Sequence, residues 1–176
     1  MDSYIYVIIF FMAVMILFFV FDVYLPKKNI KIVKTHMNSY LKENYINMKV
    51  IDGHNKTYDF MFNIDDVSYY IRVLTLPSSA ELVVNNKTAW QINYGGAKRM
   101  GKSFTKKRPI PELNTFILFD PKGDKKVKKI VVVYPDAHNL LQWVNESEMV
   151  IIEPKTNVHG VKVVTYKNLF DKFKIL

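Results

Sequence analysis

The stretch YDFMFNIDDVSYYIRVLTL, Tyr58 to Leu76, decides how the rest of the chain is read. From Tyr58 to Ile64 the residues alternate, with Phe60, Phe62 and Ile64 on one face and Asp59, Met61 and Asn63 on the other. That period of two specifies a strand with one buried face. Asp65-Asp66 supplies a turn, and Ser68 to Leu76, rich in aromatic and β-branched residues, is a second strand ended by Pro77-Ser78-Ser79. The pair is a β-hairpin, and a hairpin this apolar needs further layers to bury it.

Upstream, Lys28 to Tyr45 has helical periodicity. Ile30, Val33, Met37, Tyr40, Leu41 and Tyr45 share a face, and lysines occupy the other. Between helix and hairpin, Met48 to Ile51 is a short apolar piece that stops at the turn signal Asp52-Gly53. Downstream, Leu82 to Val84 and Thr88 to Asn93 read as two more strand pieces. Ile110 to Phe119 reads as helix, because Pro111 and Glu112 suit a first turn and Ile110, Leu113, Phe116 and Ile117 share one side. A basic turn, Lys122 to Lys129, leads to a strand at Ile130 to Tyr134. Asp136 then caps an expected short helix over Ala137 to Asn145, followed by strands at Met149 to Ile152 and Val161 to Tyr166. The order gives an α/β class: an α+β domain with one mixed sheet and flanking helices.

The N-terminus reads differently. Tyr4 to Leu25, YIYVIIFFMAVMILFFVFDVYL, is apolar apart from Asp22. Twenty-odd helical residues reach roughly 30 Å, a bilayer's hydrocarbon thickness. The acidic start and the absence of a small-x-small cleavage site disfavour a signal peptide. The expectation is a single transmembrane helix over residues 1–26, followed by one domain over 27–176. Lys27, Lys28, Lys31 and Lys34 follow the span, so the positive-inside bias places that domain in the cytoplasm and the N-terminus outside. In that orientation the Asn-x-Ser/Thr matches at Asn55, Asn86 and Asn145 are chance matches.

Composition narrows the chemistry. The 176 residues are 49% hydrophobic and 14% aromatic, enough for one folded core and against disorder. No cysteine is present, which excludes disulfides, thiolate nucleophiles and thiolate metal sites. All 25 Lys and Arg lie after Pro26, with all but two of the 16 acids (Asp2 and Asp22), so the domain is strongly basic. Such a surface attracts polyanions, meaning nucleic acid or an anionic membrane leaflet; a protein partner is the further expectation.

Gly96 to Ser103, GAKRMGKS, matches the phosphate-loop pattern G-x-x-x-x-G-K-[ST], and FILFD (Phe116 to Asp120) imitates the magnesium-holding strand that accompanies it. A true phosphate loop opens directly into a helix whose N-terminus holds the phosphates. Pro109 and Pro111 leave no room for that helix, and the Ile110 to Phe119 helix removes the second motif. What remains is a glycine-rich basic loop whose Lys98, Arg99, Lys102, Lys106, Lys107 and Arg108 are candidate anion-binding residues.

The helix followed by a strand hairpin resembles the restriction-endonuclease-like fold, including the nuclease-related domains that some bacterial membrane proteins carry. The resemblance covers Lys28 to about Pro154. It implies an Asp on the second strand and an acid-x-Lys on the third, together holding Mg²⁺ and activating water. Asp59 stands in the first position, and Glu43 on the first helix is a possible additional ligand. For the second motif, Tyr70-Ile71-Arg72 lacks the acid and has Arg for Lys, whereas Asn85-Asn86-Lys87 keeps the Lys behind an amide. Asp59, Lys87 and Glu43 are therefore the catalytic candidates of a degraded site, which points to binding rather than cleavage. No metal or cofactor is expected unless the nuclease reading holds, in which case Mg²⁺ is. Asp59 paired with Arg72 across the hairpin is the structural alternative.

Other signals are thin. His36, His54, His138 and His159 lack metal-ligand spacing, and Ser78, Ser79 and Ser103 lack a nucleophile elbow. Trp90 and Trp143 read as core or interface aromatics, and Glu146, Glu148 and Glu153 form a small acidic cluster.

Overall fold

In the computed structural model, residues 2–20, 24–45, 48–53, 57–94, 106–121 and 126–173 are described. Two helices open the chain, α1 (Asp2–Phe19) and α2 (Leu25–Asn44). The strands are β1 (Ile51–Asp52), β2 (Phe60–Ile64), β3 (Val67–Leu76), β4 (Glu81–Asn86), β5 (Ala89–Tyr94) and β6 (Lys106–Pro109), then β7 (Lys126–Pro135), β8 (Asn139–Trp143), β9 (Met149–Ile151) and β10 (Lys162–Thr165). Helix α3 (Glu112–Leu118) precedes β7, and α4 (Tyr166–Lys172) follows β10.

The expected hairpin forms. Phe60 pairs with Ile71 and Ile64 with Val67, and the two-residue turn holds Asp65 at φ 51°, a conformation that Asp tolerates better than most residues. The single expected sheet is two. One has the order β1-β2-β3-β7-β10 and the other β6-β5-β4-β8-β9, and both mix parallel with antiparallel pairs. Parallel neighbours β3 and β7 each run through a short corner into a strand of the second sheet, β4 and β8, which are again parallel neighbours. The corners are tied together where His138 N–H donates to the Ala80 carbonyl at 2.8 Å.

This arrangement makes three layers. Helices α2 and α4 cover one face of the first sheet, burying Val33, Met37, Leu41 and Leu169 against Phe60, Phe62, Ile71, Val73, Ile130, Val132 and Val164. The other face meets the second sheet and α3, where Leu74, Leu76, Val131 and Val133 pack with Leu82, Val84, Trp90, Ile92, Leu113 and Phe116. Alternation along β3 and β7 sends neighbouring residues to opposite cores.

Several sequence expectations are corrected. Residues Ala137 to Asn145 do not form a helix: Asp136 Oδ1 does accept from the Ala137 N–H at 2.9 Å, but the following backbone is taken up by pairing with β4 and β9. Lys106 to Arg108, read as loop, are part of β6. Helix α4 was not anticipated, since Leu169 and Phe173 alone give too short a periodic signal.

The transmembrane anchor is also corrected. Of the run read as one span, Tyr4 to Phe19 belong to α1 and Leu25 to α2, and residues 21–23 lie outside the described residues. Among the described residues no helix is long and apolar enough to cross a membrane. The single-pass anchor, and the cell-membrane location with an outside N-terminus and a cytoplasmic domain that rested on it, therefore lose their basis. Helix α1 is nonetheless apolar and exposed, from Val14 at 41% to Tyr4 at 77%.

Candidate anion-binding cleft

Helix α2 buries Val33, Met37 and Leu41, residues four apart, and this fixes which side chains line its flank. Lys31, Lys34, Thr35, Asn38 and Lys42 line a cleft of about 730 Å³ whose far wall is the segment Met48, Lys49 and Val50. No carboxylate is among these lining residues. Lys34 is ion-paired with Asp52 of β1, which ties β1 to the helix. Lys31, Lys42 and Lys49 are exposed, and Thr35 and Asn38 place a hydroxyl and an amide between the charges. From Lys31 to Lys42 the helix advances about 16 Å. The sequence had placed Lys31 and Lys34 beside a membrane span; what it missed was Lys42 and Lys49 joining them, which only the return of the chain along α2 creates.

The nuclease-type candidates do not form one site. Asp59 lies just before β2, with its side chain only 8% exposed. Its Oδ1 accepts from Arg72 Nη1 at 3.1 Å and its Oδ2 from the Val73 N–H at 2.6 Å. Strand β2 begins at Phe60 opposite Ile71, so beyond that point the Asp59 carboxylate serves β3 as the missing ladder acceptor. Burial raises its pKa above the usual carboxylate range, and the Arg72 charge and Val73 N–H offset only part of that. Gly53 enforces the arrangement. Its N–H donates to the Asp59 carbonyl at 2.9 Å, and a Cβ there would stand 2.0 Å from the Tyr58 carbonyl oxygen.

Around that pair, a smaller cleft of about 310 Å³ is lined by Asp59, Arg72, Thr75, Arg108 and Glu112, among others. Glu43 lies elsewhere, in a cleft with His36, Ser39, Tyr40, Tyr166 and Phe170, where His36 Nδ1 is hydrogen-bonded to the Tyr166 hydroxyl. Lys87 stands exposed in the β4–β5 turn, where its carbonyl accepts from Trp90 Nε1 at 3.1 Å. Among the described residues no three His, Asp or Glu side chains are grouped closely enough to hold a metal ion. With both Asp59 oxygens engaged and Glu43 in a different cleft, these residues do not fit a Mg²⁺ site, and no metal-assisted step follows from them.

Of the loop candidates, Lys106, Lys107 and Arg108 are exposed on β6, an edge of the second sheet. Lys98, Arg99 and Lys102, with the Gly96 to Ser103 motif, lie outside the described residues. Their flanks are informative: β5 ends at Tyr94, and the chain returns as its antiparallel neighbour β6. The FILFD motif does not form the strand that would accompany a phosphate loop, because Phe116 to Leu118 belong to α3. Lys129, half-buried on β7, closes that helix by donating to the Ile117 and Phe119 carbonyls at 2.7 and 3.0 Å.

No protein-family model, curated protein or solved structure matches the chain.

Proposed function

We propose that this chain is a non-catalytic domain that binds the phosphate backbone of nucleic acid through the α2 cleft. The observation that carries the reading is the convergence of Lys31, Lys42 and Lys49, with Thr35 and Asn38 between them, in a cleft whose lining, among the described residues, includes no carboxylate. A stripe of charge about 16 Å long matches four or five phosphates of one strand at about 3.4 Å axial rise. Neutral donors between cations suit phosphate oxygens, which accept from both. Among the described residues the lining carries no aromatic side chain to stack on bases, so the reading is of backbone contact without sequence preference. The Asp59 carboxylate supports binding over cleavage, since both its oxygens are already engaged, by Arg72 and the Val73 N–H, and Glu43 lies in a different cleft.

Fluorescence anisotropy with a labelled 20-base-pair duplex tests this. Three free lysines should give a log–log salt slope of about −3, and replacing Lys31, Lys42 and Lys49 by Gln should bring it near zero. Absence of binding at low salt, or a triple variant that binds like the parent, rejects the proposal. Binding to phosphatidylserine vesicles but not to duplex assigns the same lysines to lipid and rejects it equally.

A further inference from the structure

The second sheet ends in two unlike edges. At one end is β6, with Lys106, Lys107 and Arg108 exposed. At the other is β9, where Met149 and Val150 are exposed and Ile151 is 68% exposed, flanked by the exposed Glu146, Glu148 and Glu153. Among the described residues no strand pairs with the outer side of either. A bare edge carrying apolar side chains is a template for another strand.

The hydrogen-bond register shows which backbone groups are free. Val144 N–H donates to the Glu148 carbonyl and Ile152 N–H to the Leu140 carbonyl. Positions 148, 150 and 152 therefore face β8, and Met149 and Ile151 turn their N–H and C=O groups outward. On β6, Ile110 N–H donates to the Trp90 carbonyl, so Arg108 and Lys106 face β5 while Lys107 and Pro109 point outward. The side chains of these outward residues share a sheet face. Lys107 pairs with Asn93 and Ile151 with Leu141, both on the face turned away from the core residues Ile92 and Leu140.

We infer that copies of this chain associate head to tail, with β9 of one copy adding to β6 of the next. The strand directions suit this. β6 runs parallel to β4 and β8, and β9 runs antiparallel to them, so a copy placed alongside in the same orientation makes an antiparallel junction. Setting Ile151 opposite Lys107 and Met149 opposite Pro109 keeps faces and outward groups in step. Lys107 N–H then donates to the Ile151 carbonyl, Ile151 N–H to the Lys107 carbonyl, and Met149 N–H to the Pro109 carbonyl. The one donor that Pro109 lacks costs a single bond. The lysine and arginine stems cover the exposed aliphatics, and their charges meet the glutamates of the acidic edge. Pairing like edges would set Glu146, Glu148 and Glu153, or the three cations, against their own copies, and is disfavoured. A head-to-tail contact leaves one edge open at each end, so growth continues beyond a dimer. These edges are separate from the lysines of the α2 cleft, so either proposal can fail alone.

Sedimentation velocity across protein concentration tests the inference on the full chain. The parent is expected to grow in open-ended steps with concentration and to weaken at least about tenfold when salt screens the edges. Two blocked variants should each be monomeric: Lys106→Glu/Lys107→Glu/Arg108→Glu, and Glu146→Lys/Glu148→Lys/Glu153→Lys. Mixed together, they should regain open-ended growth, because the parental β9 of the first meets the parental β6 of the second and the two reversed edges are again opposite in charge. Ile151→Pro, which removes an outward N–H without changing charge, should also block growth. A parent that stays monomeric, a mixture that stays monomeric, or a β6 variant that assembles as well as the parent overturns the inference.

Discussion

Asp59 is held by Arg72 and the Val73 N–H, and its titration has a definite sign. Burial outweighs Arg72 and the Val73 N–H, so the folded protein holds the Asp59 proton more tightly than the unfolded chain does. Such a group contributes its stability in full below the ordinary Asp range, near pH 3.9, and that contribution is lost as pH rises through the raised folded pKa. Asp59→Asn removes the titration while keeping an acceptor for Val73 N–H. The variant should gain on the parent in urea-unfolding stability as pH rises from below the ordinary Asp value to neutrality. If the parent gains on the variant instead, the ion pair dominates and the argument from burial is wrong. Arg72→Met should cost about 3 kcal/mol at neutral pH, because it leaves a buried carboxylate without its cation. The pairing itself was legible, since Asp59 and Arg72 fall on one face of a recognisable hairpin. Its burial was not, because it depends on α3 and the second sheet closing over that face.

At the scale of elements, local period decided what could be foreseen. Helix α2 is legible because Val33, Met37 and Leu41 recur every four residues with lysines opposite, and β2 because its alternation is strict. Strand β8 was misread because Asp136 is a good cap and Leu140, Leu141 and Val144 fit a helical spacing; pairing to β4 overrode both. The anion-binding cleft was half legible: its helical lysines are visible in the sequence, but Lys49 lies beyond the end of α2 and joins them only in the folded chain. Helix α3 shows how a short element is held. It has seven residues, too few to persist alone, and its last carbonyls are satisfied by Lys129 from the neighbouring strand. Burial and the nearby Lys87 lower the Lys129 pKa, and Asp120 offsets part of this. Lys129→Met should cost about 1–2 kcal/mol by loss of two charge-assisted bonds, and amide exchange at Phe119, whose N–H donates to the Thr115 carbonyl, should speed up. Unchanged exchange there would mean that packing of Leu113, Phe116 and Ile117 alone secures the helix.

For the whole molecule, the division into two sheets is the feature that the sequence hid, and it sets how the protein unfolds. Strands β3 and β7 alternate strictly, so each sends Ile71 and Val73, or Ile130 and Val132, to the helices and Leu74 and Leu76, or Val131 and Val133, to the second sheet. Read alone, such runs look like ordinary buried strands, and nothing in them says that the layer beyond is another sheet. The same alternation denies either core an independent existence, since removing β3 or β7 from one removes it from both. The protein should therefore unfold as one unit, in spite of its two cores. Trp90, 1% exposed in the inter-sheet core, reports this once Trp143 is replaced by Phe. Met37→Ala, made in the other core under α2, should cost about 2–5 kcal/mol and should shift the Trp90 fluorescence transition by the same amount as the far-UV circular dichroism transition. Ile92→Ala, made beside Trp90, should likewise move both together. If Met37→Ala shifts the dichroism transition and leaves Trp90 where it was, the layers unfold separately, and the corners joining β3 to β4 and β7 to β8 act as hinges between two units rather than as parts of one.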